Sequence, residues 1–397
     1  MERSLLEAIR ADTEELFSEL VAISRTLYHH PELGLQEKFA CSLLAKFLQA
    51  HGFSVETGLA GLPTSFRADA PLDRSLPAFA FLAEYDALPG IGHGCGHNLI
   101  AASAVGAGVV LQRVLAREQP GSGRVVVLGT PAEETLGGKL PMLQQGVFSG
   151  IDAVLQLHPE RVNILRGTTL ACDHFRFSFR GKSAHAASHP EKGINALDAV
   201  LLTFHGISAL RQQLPSTTRV HGIITQGGLA ANVIPEFAQA EFMVRAPSRN
   251  ELEPISRRVL HCARGAALAS GCRLKVEPTA FPCDEIRNNP ALVRQVEQAM
   301  QRNGIEPILP EDPFPGSSDF GSVSHVLPSA YAFLATAPTV VELHSRQFAR
   351  STVTPQAEEA LGRMVRILAE VGAAFLLDPK LRAEVKAQFQ QQTAATR

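Results

Sequence analysis

The sequence has almost no net charge. Lys plus Arg number 37 against 39 for Asp plus Glu, a formal balance of -2 over 397 residues. A chain without a global field of either sign lacks the electrostatic footprint of a nucleic-acid or anionic-membrane binder. Cysteine is scarce. The six present, Cys41, Cys95, Cys172, Cys262, Cys272 and Cys283, are scattered and never spaced C-x-x-C, which excludes a disulfide framework. No apolar run of about 18 residues passes uninterrupted, so no transmembrane helix is expected. The opening MERSLLEAIRADTEELFSEL repeats charges inside a helical pattern and lacks the apolar stretch and cleavage site of a secretory signal, so a cytoplasmic protein is expected. Internal repeats and low-complexity segments are absent too.

Apolar residues make up 45% and charged residues 19%, ample for a buried core. The length suggests two domains of about 100 to 200 residues each. Residues 2–23 and 38–51 carry apolar positions at helical spacing. Short apolar runs follow at 77–84, 124–129 and 152–158, the first two separated by an Ala/Gly/Val-rich helical stretch at 100–117. Strands alternating with helices predict an α/β fold with a mixed, mainly parallel sheet flanked by helices. Near residue 172 the texture changes: Phe175, Phe177 and Phe179 alternate with Arg176, Ser178 and Arg180, the period of a strand with one buried face. A helix (195–213), two strands (219–226 and 236–245), a helix (250–269) and the strand RLKVEP complete a ferredoxin-like α+β order. Residues 172–283 thus read as a domain inserted between 1–171 and 284–397. A helix (291–303), a strand (329–335) and a long helix (355–376) close the second part, and 380–397 read as a fraying tail.

The ionisable groups gather where strands end. Glu84 and Asp86 follow the first apolar run, Glu133 and Glu134 the second, and His158 the third. In open α/β sheets the site lies outside the carboxyl ends of the strands, so these groups are expected to converge. GIGHGCGHN adds His93, Cys95 and His97, with glycine on both sides of Cys95 to let backbone approach an ion. Thiolate, imidazole and carboxylate together form the donor set of zinc or a similar borderline cation. Adjacent glutamates divide the labour: one coordinates, and the other takes a proton from water and passes it to a leaving amine. Singly, each motif has a bland reading as a buried thiol, a surface acid pair or a core histidine. Their shared sheet edge favours a site.

GCGHN, GTPAEE, LQLHPE, GKSAHAA, ANVIPEFAQAEFMVRAP, GSSDFG and VVELHSRQF follow in the order and spacing of one family. The chain resembles the dinuclear-metal aminoacylase and carboxypeptidase family, metallopeptidase family twenty, in its amidohydrolase branch. Asn98 in place of the branch's common aspartate is similar to its dipeptidase-like subgroup. The resemblance implies a zinc-exopeptidase-like fold whose inserted domain acts as lid and dimerisation surface. It also implies hydrolysis of an amide or peptide bond in a small dipeptide or N-acyl amino acid. By motif, Cys95, His97, Glu134, His158 and His344 match metal ligands, Glu133 the general base, and Asp86 an acid that orients a ligand. Glu84 stands where many members have a histidine ligand. Two divalent ions are implied, zinc first, with manganese, cobalt or nickel as alternatives. His185 matches a residue that reaches the partner subunit's site in a homodimer and stabilises the oxyanion. Asn232 and Arg245 match residues that bind substrate backbone and free carboxylate, while Gly316, Ser317 and Asp319 lie in a loop of the type that shapes the pocket. Arg245 in a sheet-face ion pair and the Gly/Ser loop as an ordinary turn stay open. Two rival classes are a cysteine-nucleophile amidase using Cys95 with His93 or His97, and a non-catalytic metal-binding regulator of the same fold. Glu133, a spare base beside a ligand, speaks against the second.

Overall fold

Leu5, Ile9, Leu16, Leu20, Ile23 and Leu27 recur at spacings of three, four or seven residues and are buried along one stripe of the first helix, α1 (Arg3–His29). The computed structural model describes residues 2–308 and 316–394. Helix α2 (Lys38–Ala50) leads to two short strands, β1 (Ser54–Thr57) and β2 (Phe66–Ala70). The apolar runs become β3 (Ala78–Ala83), β4 (Arg124–Gly129) and β5 (Ala153–Glu160), buried at every position. Cover on both faces is why they read as continuous apolar runs. Between them lie α3 (His97–Glu118) and α4 (Lys139–Gln144). By length and composition α3 could cross a membrane, yet most of its apolar window is buried inside the protein, the setting of a core helix.

The middle of the chain forms β6 (Ala171–Arg180), α5 (Ala196–Arg211), β7 (Arg219–Gln226), β8 (Phe237–Ala246), α6 (Arg249–Ser270) and β9 (Arg273–Pro278). It ends in α7 (Pro290–Arg302), α8 (Phe320–Val326), β10 (Ser329–Ala335), α9 (Arg346–Ser351), α10 (Pro355–Leu377) and α11 (Pro379–Ala394). Helix α11 corrects the expected fraying tail. Leu381 and Val385, one turn apart, are buried; Asn289 Nδ2 donates to the Val385 carbonyl at 2.9 Å, and Gln388 accepts the Ala291 N–H at 2.8 Å. Two apolar residues hold this polar helix because it also satisfies the open end of α7.

The chain divides into two units, one of Met1–Thr168, Ile286–Phe314 and Asp319–Arg397, the other of Thr169–Glu285 and Pro315–Ser318. In the first, the strand order is β1-β2-β4-β3-β5-β10. Strands β4, β3, β5 and β10 are mutually parallel, and β1 and β2 join antiparallel: the expected mixed, mainly parallel sheet. In the second, four antiparallel strands run β7-β8-β6-β9. Phe177, Phe179, Ala240, Phe242 and Val244 line the sheet face packed with residues of α5 and α6, which leaves β8 alternating buried and half-buried.

Candidate metal centre

Because β4, β3 and β5 are parallel neighbours, with Ala83 opposite Gly129 and Phe81 opposite Leu155, their carboxyl ends share one edge of the sheet. Glu84 and Asp86 leave β3 there, Glu133 and Glu134 follow β4, and His158 sits near the end of β5. The glycine-rich loop before α3 brings Cys95 and His97 to the same place. Gly96 has φ +81°, and a Cβ on it would lie 2.8 Å from the Pro159 ring, so only glycine lets the loop close onto β5.

Hydrogen bonds fix the two buried imidazoles. His97 Nδ1 donates to Asp86 Oδ1 at 2.9 Å, and Asp86 Oδ2 accepts the Glu134 backbone N–H at 3.0 Å. One carboxylate thus orients a ring and the turn that carries the paired glutamates. His158 Nδ1 donates to the Pro159 carbonyl at 2.6 Å. Both rings therefore aim Nε2 inward, the arrangement of a ligating histidine. At His97 burial is outweighed by the Asp86 carboxylate and Cys95, which raise the pKa well above its ordinary value, so a bound cation would take the place of a proton on that nitrogen. His158 Nε2 lies 3.4 Å from Cys95 Sγ. His97 Nε2 lies 3.6 Å from Glu84 and 3.9 Å from both Glu133 and Glu134, and His344 Nε2 is 3.7 Å from Glu134 Oε1. His344 is half exposed, unlike the rest. It has φ +58°, and Ala132, just before the glutamate pair, has φ +61°. Such left-handed non-glycine residues cost about 1–3 kcal/mol each and cluster at functional sites.

These residues fit a metal. Potential donors of Cys95, His97 and His158 lie within 4.8 Å of one another, as do those of Cys95, Glu134 and His344, and of His97, Glu133 and Glu134. His97 Nε2, Glu134 Oε1 and Glu84 Oε2 are buried with no hydrogen-bond partner, a costly state for polar atoms that face one another unless a cation joins them. Burial depresses the His158 pKa to about 4, keeping the ring neutral as a ligand must be. Burial, then the charges of Glu84, Glu134 and Asp319, raise Glu133 well above the usual carboxylate range. Burial likewise pushes the Cys95 thiol well up, so that thiolate forms only with a cation at hand. His93 stands apart: its Nε2 meets the Leu27 carbonyl at 3.1 Å. Asn98 anchors α3, its Nδ2 donating to Ser24 Oγ at 2.9 Å.

One residue that the sequence pattern does not point to is at the centre's wall. Lys139 is completely buried, with its Nζ donating to Glu84 Oε1 at 2.6 Å and to Asp319 Oδ1. This takes up one of the two Glu84 oxygens. A lysine after two glycines gives no sign of burial in a sequence, because lysine is by default exposed.

The remaining expected residues belong to the second unit. His185 is exposed, and its Nδ1 accepts the N–H groups of Ala187 and Ser188 at 3.2 and 3.1 Å. The neutral ring therefore carries its proton on Nε2. His185 bridges Val233, and the Ala186 N–H donates to the Asn232 carbonyl at 3.1 Å, so His185 and Asn232 are neighbours. Arg245 is elsewhere, opposite Cys172 on β6 and Arg219 on β7; burial raises the Cys172 thiol pKa, and the charge of Arg245 opposes that rise. The Gly316 carbonyl accepts the Leu170 N–H at 2.8 Å. Phe237 and Arg245 are eight residues apart on β8, about 27 Å of strand. The His185–Asn232 pairing continues the ladder past the Phe237 end, where Gly181 N–H donates to the Glu236 carbonyl. Within one unit, His185 with Asn232 and Arg245 with Ser317 thus occupy opposite ends of the sheet.

Residues 80–371 match peptidase family M20/M25/M40, and the chain belongs to that family. It is 34% identical over 409 residues to Xaa-Arg dipeptidase of Homo sapiens, covering 98% of this chain and 93% of that protein. To N-acetylcysteine deacetylase of Bacillus subtilis it is 26% identical over 387 residues, covering 90% of this chain and 97% of that one. Its fold is that of the aminobenzoyl-glutamate utilization protein of Klebsiella pneumoniae, with a TM-score of 0.75 at 21% identity over 92% of this chain and 98% of that one.

Proposed function

We propose that the protein is a metal-dependent hydrolase that cleaves the amide or peptide bond of a small dipeptide or N-acyl amino acid and releases a free amino acid. The observation that carries this reading is the convergence, at one sheet edge, of five ligand-type residues with a partly buried carboxylate that is spare. Identity to a dipeptidase along nearly the full length supports the substrate class. Cys95, His97, Glu134, His158 and His344 would hold the metal, proposed as two zinc ions, with manganese, cobalt or nickel as alternatives. Bound divalent cations supply Lewis acidity, bringing the pKa of water toward about 7 and polarising a carbonyl.

The chain's own residues do the rest. Glu133 takes a proton from the attacking water on its carboxylate and delivers it to the leaving nitrogen; its raised pKa suits both halves of that task. Asp86 keeps the His97 ring and the Glu134 turn in register. His185, a donor at Nε2, stabilises the oxyanion that develops at the scissile carbonyl, and Asn232 contacts the substrate backbone. Arg245 presents a planar fork to the free carboxylate, beside the loop of Gly316 and Ser317. A dipeptide spans about 7 Å of backbone, so the His185 and Arg245 of one chain cannot both touch it. This supports a homodimer in which His185 acts on the partner's substrate. The exposed Ile223 and Ile224 of edge strand β7 and Leu201 and Leu202 of α5 offer a second copy an apolar surface. Six free cysteines are consistent with a cytoplasmic setting.

The Glu133→Ala variant tests the mechanism. It should bind metal like the parent and lose about 10²–10⁴-fold in kcat. A folded, loaded variant that hydrolyses N-acyl amino acids and dipeptides at the parent rate would overturn the assignment.

A further inference from the structure

Five acids, Glu84, Asp86, Glu133, Glu134 and Asp319, crowd the first unit's site, and the buried Lys139 faces two of them. Lys139 reaches that position because the chain doubles back before it. Gly137 has φ +79°, and a Cβ on Gly138 would lie 2.2 Å from the Pro131 carbonyl oxygen, so the glycine pair brings residue 139 under the turn that carries Glu133. Asp319 grips it twice, through the ammonium and through the backbone N–H at 3.0 Å. Glu84 takes a further ammonium proton at 2.6 Å. Oxygens of Glu84, Glu133 and Asp319 lie within 4.8 Å of one another. Three carboxylates at that spacing in a dry pocket repel one another unless a cation sits among them, and an all-oxygen group of this kind suits a hard divalent ion. Glu84 Oε2, buried and without a hydrogen-bond partner, faces His97 Nε2 at 3.6 Å, so this group directly adjoins the metal ligands.

We propose that Lys139 is a built-in cation for the Glu84–Glu133–Asp319 group, keeping a further divalent ion out of it and leaving Glu133 uncoordinated as the base. Lys139 is a positioning residue, since it acts through Glu84 and Asp319, and the inference rests on the metal reading above. A tethered ammonium suits the task better than a metal. Its side-chain bonds are directed at Glu84 and Asp319, whereas a divalent ion in the same place would draw in all three carboxylates and occupy the oxygen that must take up a proton.

The test counts metal as well as activity. Parent, Lys139→Met and Lys139→Arg proteins are loaded with Mn²⁺ or Zn²⁺, freed of excess by gel filtration and analysed for ions per chain. Lys139→Met should hold roughly one more ion than the parent, with Mn²⁺ favoured over Zn²⁺ at the added oxygen-only site. Its thermal midpoint should rise with Mn²⁺ more than the parent's, and its kcat should fall about 10²–10⁴-fold as Glu133 becomes a ligand. Lys139→Arg, which keeps the charge, should match the parent's count. A folded Lys139→Met protein with the parent's count overturns the inference. If that variant does not fold, the parent decides: a further Mn²⁺ ion bound at millimolar concentration and lost in Asp319→Asn also overturns it. A parent that retains no metal at all refutes the metal reading itself, a separate outcome.

Discussion

Asp86 concentrates much of the site's geometry in one side chain. Its two oxygens hold His97 Nδ1 and the Glu134 N–H, so a change there disturbs two proposed ligands without removing either. Asp86→Asn should weaken metal affinity about 10–100-fold, read by competition with a chromogenic chelator, while the far-UV circular dichroism stays that of the parent. Unchanged affinity would remove Asp86 from its role. At this scale the sequence was informative wherever a rare donor type followed a strand: Cys95, His97, Glu133, Glu134 and His158 all converge as expected. His344 came only from family resemblance, because a lone histidine in a loop has no local signature. Lys139 was illegible for the opposite reason. Its type signals surface, and only the approach of Glu84 and Asp319, 55 and 180 residues away in the chain, makes its burial tolerable.

Among the elements, β2 makes the same point with a whole strand. FRADA is buried throughout but hides this behind charge. Asp69 accepts from Arg67 at 2.7 and 3.0 Å and from Arg124 on the adjacent β4. Burial raises the Asp69 pKa, but the hydrogen bonds and charges of Arg67 and Arg124 outweigh it and hold the carboxyl below its ordinary value. Asp69→Asn leaves two buried guanidinium groups short of their counter-charge and should cost about 3–5 kcal/mol at neutral pH, measured by urea unfolding. The sign of the pH effect follows from the depressed value. The stabilisation is complete above the unfolded pKa of about 4 and is lost as pH falls through the lower folded pKa. The gap between parent and variant should therefore narrow in acid; a constant gap down to the acid limit of folding would contradict this. Strands β3, β4 and β5 were readable because burial on both faces leaves a continuous apolar run, whereas a self-neutralising strand such as β2 leaves no such trace.

For the whole molecule, the decisive feature is the separation along β8 between His185 with Asn232 and Arg245 with Ser317. If each proposed site draws His185 from one chain and Arg245 from the other, His185→Ala and Arg245→Ala proteins are each nearly inactive alone. Unfolding and refolding them together in equal amounts should restore roughly a quarter of parent activity, since half the dimers are mixed and each has one intact site. Mixing that restores nothing, with a dimer confirmed by light scattering, would show that both residues serve the same chain's substrate or neither serves it.

Composition, periodicity and motif spacing by themselves determined the α/β class, the order of most strands and helices, and the edge of the sheet where the donors gather. Those are properties of neighbouring residues, and the backbone's fixed repeats project them directly into local structure. Tertiary structure alone decided that Lys139 stands inside the acid cluster, that charged β2 is a core strand, and that the two sets of residues proposed to bind substrate lie a strand's length apart. Each depends on what distant parts of the chain bring to the same point: a buried charge is stable or ruinous according to its partners, and no local pattern specifies them.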